Sequence, residues 1–220
     1  MNSQKCRNSR EALVHCMRRL VSAGLTTGTS GNASVRDGDG MLITPTGVLP
    51  EDMRPGSMVS TGFDGEFAPE GLAPSSEWQL HAAIYLERPE VAAIVHCHSR
   101  HATVLACCRR DIPPFHYMIA AAGGASIRCS SYATYGSEAL ARNALDALEG
   151  RSACLLANHG QLSVGPDLEE ALRIAREVEE LAAQYWSCLA IGGPTLLGRD
   201  EMDAVLKKFS GYGQPQPARR

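Results

Sequence analysis

The chain has 220 residues, 44% of them apolar and 20% charged, with a formal net charge of −3. That length supports a core needing no staples, and that composition speaks against intrinsic disorder. The 21 basic residues form no block and no apolar run reaches membrane length, so no nucleic-acid and no membrane partner is expected.

The N-terminal stretch is polar and then amphipathic, with no hydrophobic signal core. The eight cysteines contain no CxxC spacing, and Cys16, Cys107, Cys154 and Cys188 fall in apolar runs. Reduced thiols in a cytoplasmic protein are therefore expected.

In chain order, Ser9 caps a first helix running to about Ala23, with Leu13, Cys16, Met17, Leu20 and Val21 at helical spacing and Gly24 as its stop. Two short strands follow, Asn32 to Arg36 and Met41 to Thr44, joined by a tight turn over Asp37 to Gly40. A third strand is expected near Met58 to Thr61, before a turn at Asp64-Gly65. Ser75 or Ser76 caps a helix to about Leu86. Val91 to Cys97 reads as a strand, and Ser99 starts a helix to Arg110. Ser137 caps a helix to Leu148, and Ala153 to Ala157 is a buried strand. The longest helix runs from about Leu168 to Ile191, and a last one covers Glu201 to Phe209. Strands alternating with helices give one α/β domain over residues 1–220, with strands paired as hairpins and a mobile tail at about 210–220.

The segment Ile94 to Thr103, IVHCHSRHAT, carries the strongest chemical signal. His96 and His98 are two apart in a β-branched apolar run, and a strand turns alternate side chains to one face. Both imidazoles can then reach one point. His159, where a second apolar run meets a His-Gly step, supplies a third ligand if the two strand ends are neighbours. Three imidazoles with an open position or a labile carboxylate are the pattern of a catalytic metal site, and imidazole suits zinc. His101 falls in the next helix and points elsewhere. His81, four residues after Glu77, reads either as an i,i+4 partner of that carboxylate or as a partly buried helix-face residue.

A second cluster is suited to an anion. Gly28 to Arg36, GTSGNASVR, is rich in glycine and small hydroxyls, which let backbone N–H groups approach a ligand. It matches neither a P-loop nor a dinucleotide fingerprint. The Thr46-Gly47 turn and the helix start at Ser75-Ser76 complete the candidate cradle.

These segments, together with LAPSSEWQLHAAIY, HYMIAAAGG, YATYGS, NHG and KKFSGYG, resemble the class II aldolase and adducin-head family, and within it the bacterial L-fuculose-1-phosphate aldolases. The resemblance spans nearly the whole chain. It implies a three-layer α/β/α fold with a central mixed, largely antiparallel sheet. It also implies a homotetramer with active sites between adjacent subunits, and one zinc ion per subunit held by His96, His98 and His159. Glu77 would ligate the resting metal and act as acid/base when substrate binds. Asn32, Thr46, Gly47, Ser75 and Ser76 would hold the substrate phosphate. Tyr117 would reach a neighbouring subunit's site as proton donor, and Tyr212 would fold over the substrate from the tail.

The implied reaction is cleavage of a phosphorylated ketose to dihydroxyacetone phosphate and an aldehyde through a zinc-stabilised enediolate. The only lysines, Lys5, Lys207 and Lys208, are terminal, so a Schiff-base route has no candidate. L-Fuculose 1-phosphate is the leading substrate expectation. Asn158, where close fuculose enzymes carry histidine, and Arg128, where they carry proline, keep a 5-methylthioribulose or 5-deoxyribulose 1-phosphate aldolase in view. A pentulose-phosphate 4-epimerase is disfavoured by SSEW and ITPTG. A 3-oxo-tetronate 4-phosphate decarboxylase is a further alternative. A non-catalytic adducin-like head is expected to lack the triad that this chain retains.

Overall fold

The computed structural model describes residues 3–209. Six helices are present among them: α1 (Ser3–Ser22), α2 (Trp78–Glu87), α3 (Arg100–Cys107), α4 (Glu138–Leu148), α5 (Leu168–Ala190) and α6 (Arg199–Phe209). The strands are β1 (Asn32–Asp37), β2 (Gly40–Ile43), β3 (Val59–Gly62), β4 (Ala93–Cys97), β5 (Ala153–Leu156) and β6 (Gly160–Gly165). They form one six-stranded sheet in the order β3-β2-β1-β4-β6-β5. All five ladders are antiparallel, and an isolated Cys129–Leu155 bridge is parallel.

The strand period distributes side chains between two layers. From β4, Ile94 packs with α2 and α4, while Ala93, Val95 and Cys97 pack with α1 and α5. Helix α3, part of α5 and α6 enclose a third apolar cluster around Leu105, Ile119, Leu155 and Leu181. The result is the expected three-layer α/β/α arrangement. His96 lies on the α2 side of the sheet, because it is two residues from Ile94.

Several boundaries differ from the sequence reading. Helix α1 begins at Ser3, so Ser9 lies inside it rather than capping it. Neither Ser75 nor Ser76 caps α2: Glu77 occupies the N-cap position, and Ser75 Oγ accepts from the Glu77 backbone N–H at 3.3 Å. Strand β6 was not expected at all. Cys107 is exposed rather than packed as an apolar residue, and the seven cysteines described are all unpaired. The Ser137 cap holds, accepting from Leu140 N–H at 3.2 Å. No described helix is long and apolar enough to cross a membrane.

Candidate active site and metal centre

The three predicted imidazoles meet. β4 pairs with β6, and His159 lies in the Ala157–His159 turn that joins β5 to β6, so it arrives beside the end of β4. The rings of His96, His98 and His159 stand pairwise edge-on, with centroids 4.7–4.9 Å apart. Their ligand atoms all lie within 4.8 Å of one another. Close approach of the backbone permits this. At Gly160, the first residue of β6, a Cβ would stand 2.6 Å from the Cys97 carbonyl oxygen and 2.8 Å from His98 Cδ2. At Gly31, with φ of +79°, a Cβ would lie 2.9 Å from the His96 carbonyl.

Glu77 faces the cluster from the N-cap of α2, on the same side of the sheet as His96. Its Oε2 is 3.1 Å from His96 Nε2, and its Oε1 is 3.4 Å from His159 Nε2. His96 Nδ1 faces the Gln161 carbonyl at 2.8 Å, an acceptor, so the ring proton belongs on Nδ1 and Nε2 carries a lone pair. A carboxylate oxygen and a bare nitrogen 3.1 Å apart repel unless a cation stands between them. Glu77 Oε1 is buried without a hydrogen-bond donor. With metal–ligand distances of about 2.0–2.2 Å, a tetrahedral site places ligand atoms roughly 3.3 Å apart, near these separations and the 3.0 Å between His96 Nε2 and His98 Nε2. The donor set fits a divalent metal.

Burial holds the imidazoles neutral, as ligation requires. It lowers His96 outright; it lowers His98 with help from neighbouring His159; and it brings His159 down to about 4, with His96 adding to the effect. Burial alone would raise the Glu77 carboxyl. The facing His96 and His159 rings and the amide N–H that Asn32 donates outweigh it and leave the group below its ordinary value.

The cluster opens into a pocket of about 300 Å³, a size that suits a small molecule. Asn32, Thr46, Gly47, Ser75, Ser76, Glu77, His98 and His159 all line it, while His96 is buried beneath. The Ser75 N–H donates to the Thr44 carbonyl at 3.0 Å and the Thr46 N–H to the Ala73 carbonyl at 3.1 Å, which sets the two candidate phosphate loops side by side. Tyr117 does not join them. It is 48% exposed, in a 3-10 segment at Tyr117–Ala122, and does not line this pocket. Tyr212 lies outside the described residues.

A profile of the "Class II Aldolase and Adducin N-terminal domain" matches residues 11–186. The chain belongs to this family. It is 52% identical to a 5-methylthioribulose-1-phosphate/5-deoxyribulose-1-phosphate aldolase of Rhodospirillum rubrum, over 93% of this chain and 92% of that one. It is 45% identical to an L-fuculose phosphate aldolase of Escherichia coli, over 93% and 95%. A solved L-fuculose 1-phosphate aldolase superposes with a TM-score of 0.89 at 40% identity, covering 92% of this chain and 96% of that one. With the family's lyase chemistry and an intact histidine cluster, the chain is a class II aldolase, a carbon–carbon lyase.

Within this aldolase, sequence reasoning missed the groups that support the histidine cluster. The Gln161 carbonyl fixes His96, and the Gln161 side chain is tied down by donating to Ser99 Oγ at 2.6 Å and to the Ala175 carbonyl at 3.0 Å. Glu179 of α5 accepts from the backbone N–H groups of His101 and Ala102 and from His101 Nδ1, so it serves as the cap of α3. His101 is thus engaged away from the cluster, as expected. His81 is fully buried and bonds Asn32 through its ring, rather than pairing with Glu77. Tyr132, Tyr135 and Asn158 were not expected to line the pocket. Only the YATYGS motif and the departure at Asn158 hinted at them.

Proposed function

We propose that this aldolase cleaves a ketose 1-phosphate to dihydroxyacetone phosphate and an aldehyde, using one zinc ion per subunit. The observation that carries this reading is the convergence of His96, His98, His159 and Glu77 at one pocket with Asn32, Thr46-Gly47 and Ser75-Ser76. Zinc held by the three imidazoles would supply Lewis acidity toward the substrate's oxygens. The chain's own groups do the rest. Ser75, Ser76, Asn32 and the Thr46-Gly47 turn bind the phosphate and orient the bond to be broken, converting remote binding energy into rate. Glu77, beside both metal site and pocket, moves the proton at C3.

Tyr117, exposed on its own subunit, suits a role in a neighbour's site within a homotetramer, where it would donate a proton on the aldehyde side. Tyr212 would cover the bound substrate. The unpaired thiols suit a reducing, cytoplasmic setting.

L-Fuculose 1-phosphate is the leading substrate, on the likeness to fuculose aldolases in sequence and fold. A second reading, 5-methylthioribulose or 5-deoxyribulose 1-phosphate, is favoured by the 52% identity to the Rhodospirillum rubrum enzyme and by Asn158 on the pocket wall. A parallel measurement of kcat/KM for fuculose, ribulose, methylthioribulose and deoxyribulose 1-phosphates and for 3-oxo-tetronate 4-phosphate tests both. Preference for a methylthio or deoxy substrate selects the second reading and keeps the mechanism. Carbon dioxide release from the tetronate, or equal cleavage of phosphorylated and unphosphorylated sugars, would overturn the proposal.

A further inference from the structure

An unbroken series of buried hydrogen bonds runs from Glu77 into the protein. Strand β1 turns Asn32, Ser34 and Arg36 toward α2, and α2 presents His81 and Tyr85, four and eight residues beyond Glu77, toward β1. Asn32 Nδ2 donates to Glu77 Oε2 at 2.9 Å, and Asn32 Oδ1 is 2.7 Å from His81 Nε2. His81 Nδ1 is 2.7 Å from Ser34 Oγ, which is 2.8 Å from Tyr85 Oη. The Arg36 guanidinium lies over the Tyr85 ring, 4.9 Å from its centroid, and donates to the Tyr85 carbonyl.

The carboxylate fixes every proton in this series. Ionised Glu77 only accepts, so the Asn32 amide must turn its NH2 toward Glu77 and its oxygen toward His81. That oxygen requires a proton on His81 Nε2. No carboxylate bonds either ring nitrogen, and the ring is completely buried, so His81 is neutral and Nδ1 is a bare acceptor. Ser34 must then donate to Nδ1, and its oxygen accepts from the Tyr85 hydroxyl. All four hydrogen bonds point the same way, toward Glu77, from an end fixed beside a permanent cation.

We propose that His81 is a positioning residue: through its Nε2–H it locks the Asn32 amide with the NH2 facing Glu77. Asn32 also lines the pocket, so one imidazole sets the orientation of both a phosphate-side amide and the carboxylate beside the metal site. This rests on the reading of Glu77 as the acid/base. Without His81, the amide loses the partner that distinguishes its two ends, and half of its orientations set a carbonyl against a carboxylate.

Exchange of the C3 proton of dihydroxyacetone phosphate measures the effect. His81→Phe should lower kcat/KM for exchange about 10- to 100-fold, the range for a group that orients a ligand of the reacting centre. His81→Gln, whose amide N–H can still donate to Asn32 Oδ1, should recover most of the rate, which a role in packing alone would not predict. In an Asn32→Ala background, His81→Phe should cost less than about twofold, because its route to Glu77 is already gone. Tyr85→Phe should also cost less than about twofold, since Ser34 still donates to His81. A Tyr85→Phe loss as large as that of His81→Phe would make the series a proton conduit and overturn the proposal, as would additive losses with Asn32→Ala. If His81→Phe does not fold, nitrogen-15 NMR of the wild-type holoenzyme decides: an Nε2–H tautomer supports the proposal, and an Nδ1–H tautomer overturns it. Wild-type protein without exchange would defeat the assignment of Glu77, and the tautomer would still judge the series.

Discussion

Replacing His81 with glutamine should flatten the acid side of the stability profile. Burial brings the His81 imidazole from its ordinary value of 6.5 down to about 3, with the Glu77 charge opposing the shift and His96 adding to it. The folded state therefore holds His81 neutral throughout pH 7 to 5, whereas the unfolded chain takes up a proton as the pH falls through 6.5. With more protons bound in the unfolded state, stability rises with pH. The contribution is fully present above 6.5 and is lost progressively down to about 3. Integrated between pH 7 and 5 it amounts to roughly 2 kcal/mol, undiminished by solvent because the ring is completely buried. Urea unfolding of both proteins at equal metal loading gives the test, since the other histidines and the metal contribute equally and cancel in the difference. The wild type should lose about 2 kcal/mol more than His81→Gln over that interval. Parallel losses in the two proteins would refute a neutral, buried His81.

Two further outcomes follow from the site itself. Glu77→Gln should keep the fold and most of the metal affinity while reducing C3 proton exchange by about 10²–10⁴-fold; wild-type exchange would move the base elsewhere. Gly160→Ala should force the His98 ring and the β4 end apart, costing about 1–3 kcal/mol, or roughly 2–4 °C in Tm for each kcal/mol, and weakening metal in chelator competition; unchanged affinity would show that the ligand tolerates displacement.

Where one face of an element is buried and the other is wet, the sequence was readable. The period of α5 and the Ser137 cap of α4 needed no tertiary knowledge, while β4, buried on both faces, was legible from its unbroken apolar run. Strand β6, buried on both faces like β4, escaped because Gln161 and Ser163 break its apolar run and a glycine stands at each end. Both polar side chains donate to carbonyls of α5, Gln161 to Ala175 and Ser163 to Ala171 at 2.8 Å. Ser75 and Ser76 looked like caps because their type favours that position, yet the chain enters α2 through Glu77, turning its carboxylate to the histidine cluster. The buried series behind Glu77 did leave a signal: polar residues at 32, 34 and 36 on a strand, and at 77, 81 and 85 on a helix. Each ladder alone reads as a polar surface. Only their pairing across β1 and α2 makes them an interior network, and no local pattern specifies that pairing.

Metal content tests the central claim most directly. Protein purified without added zinc is compared with His98→Ala by elemental analysis, with unfolding curves recorded for both. Wild type should carry close to one divalent metal per subunit, chiefly zinc, and His98→Ala should keep its fold but lose most of that metal. Equal metal content in the two folded proteins would contradict a centre built on His96, His98 and His159.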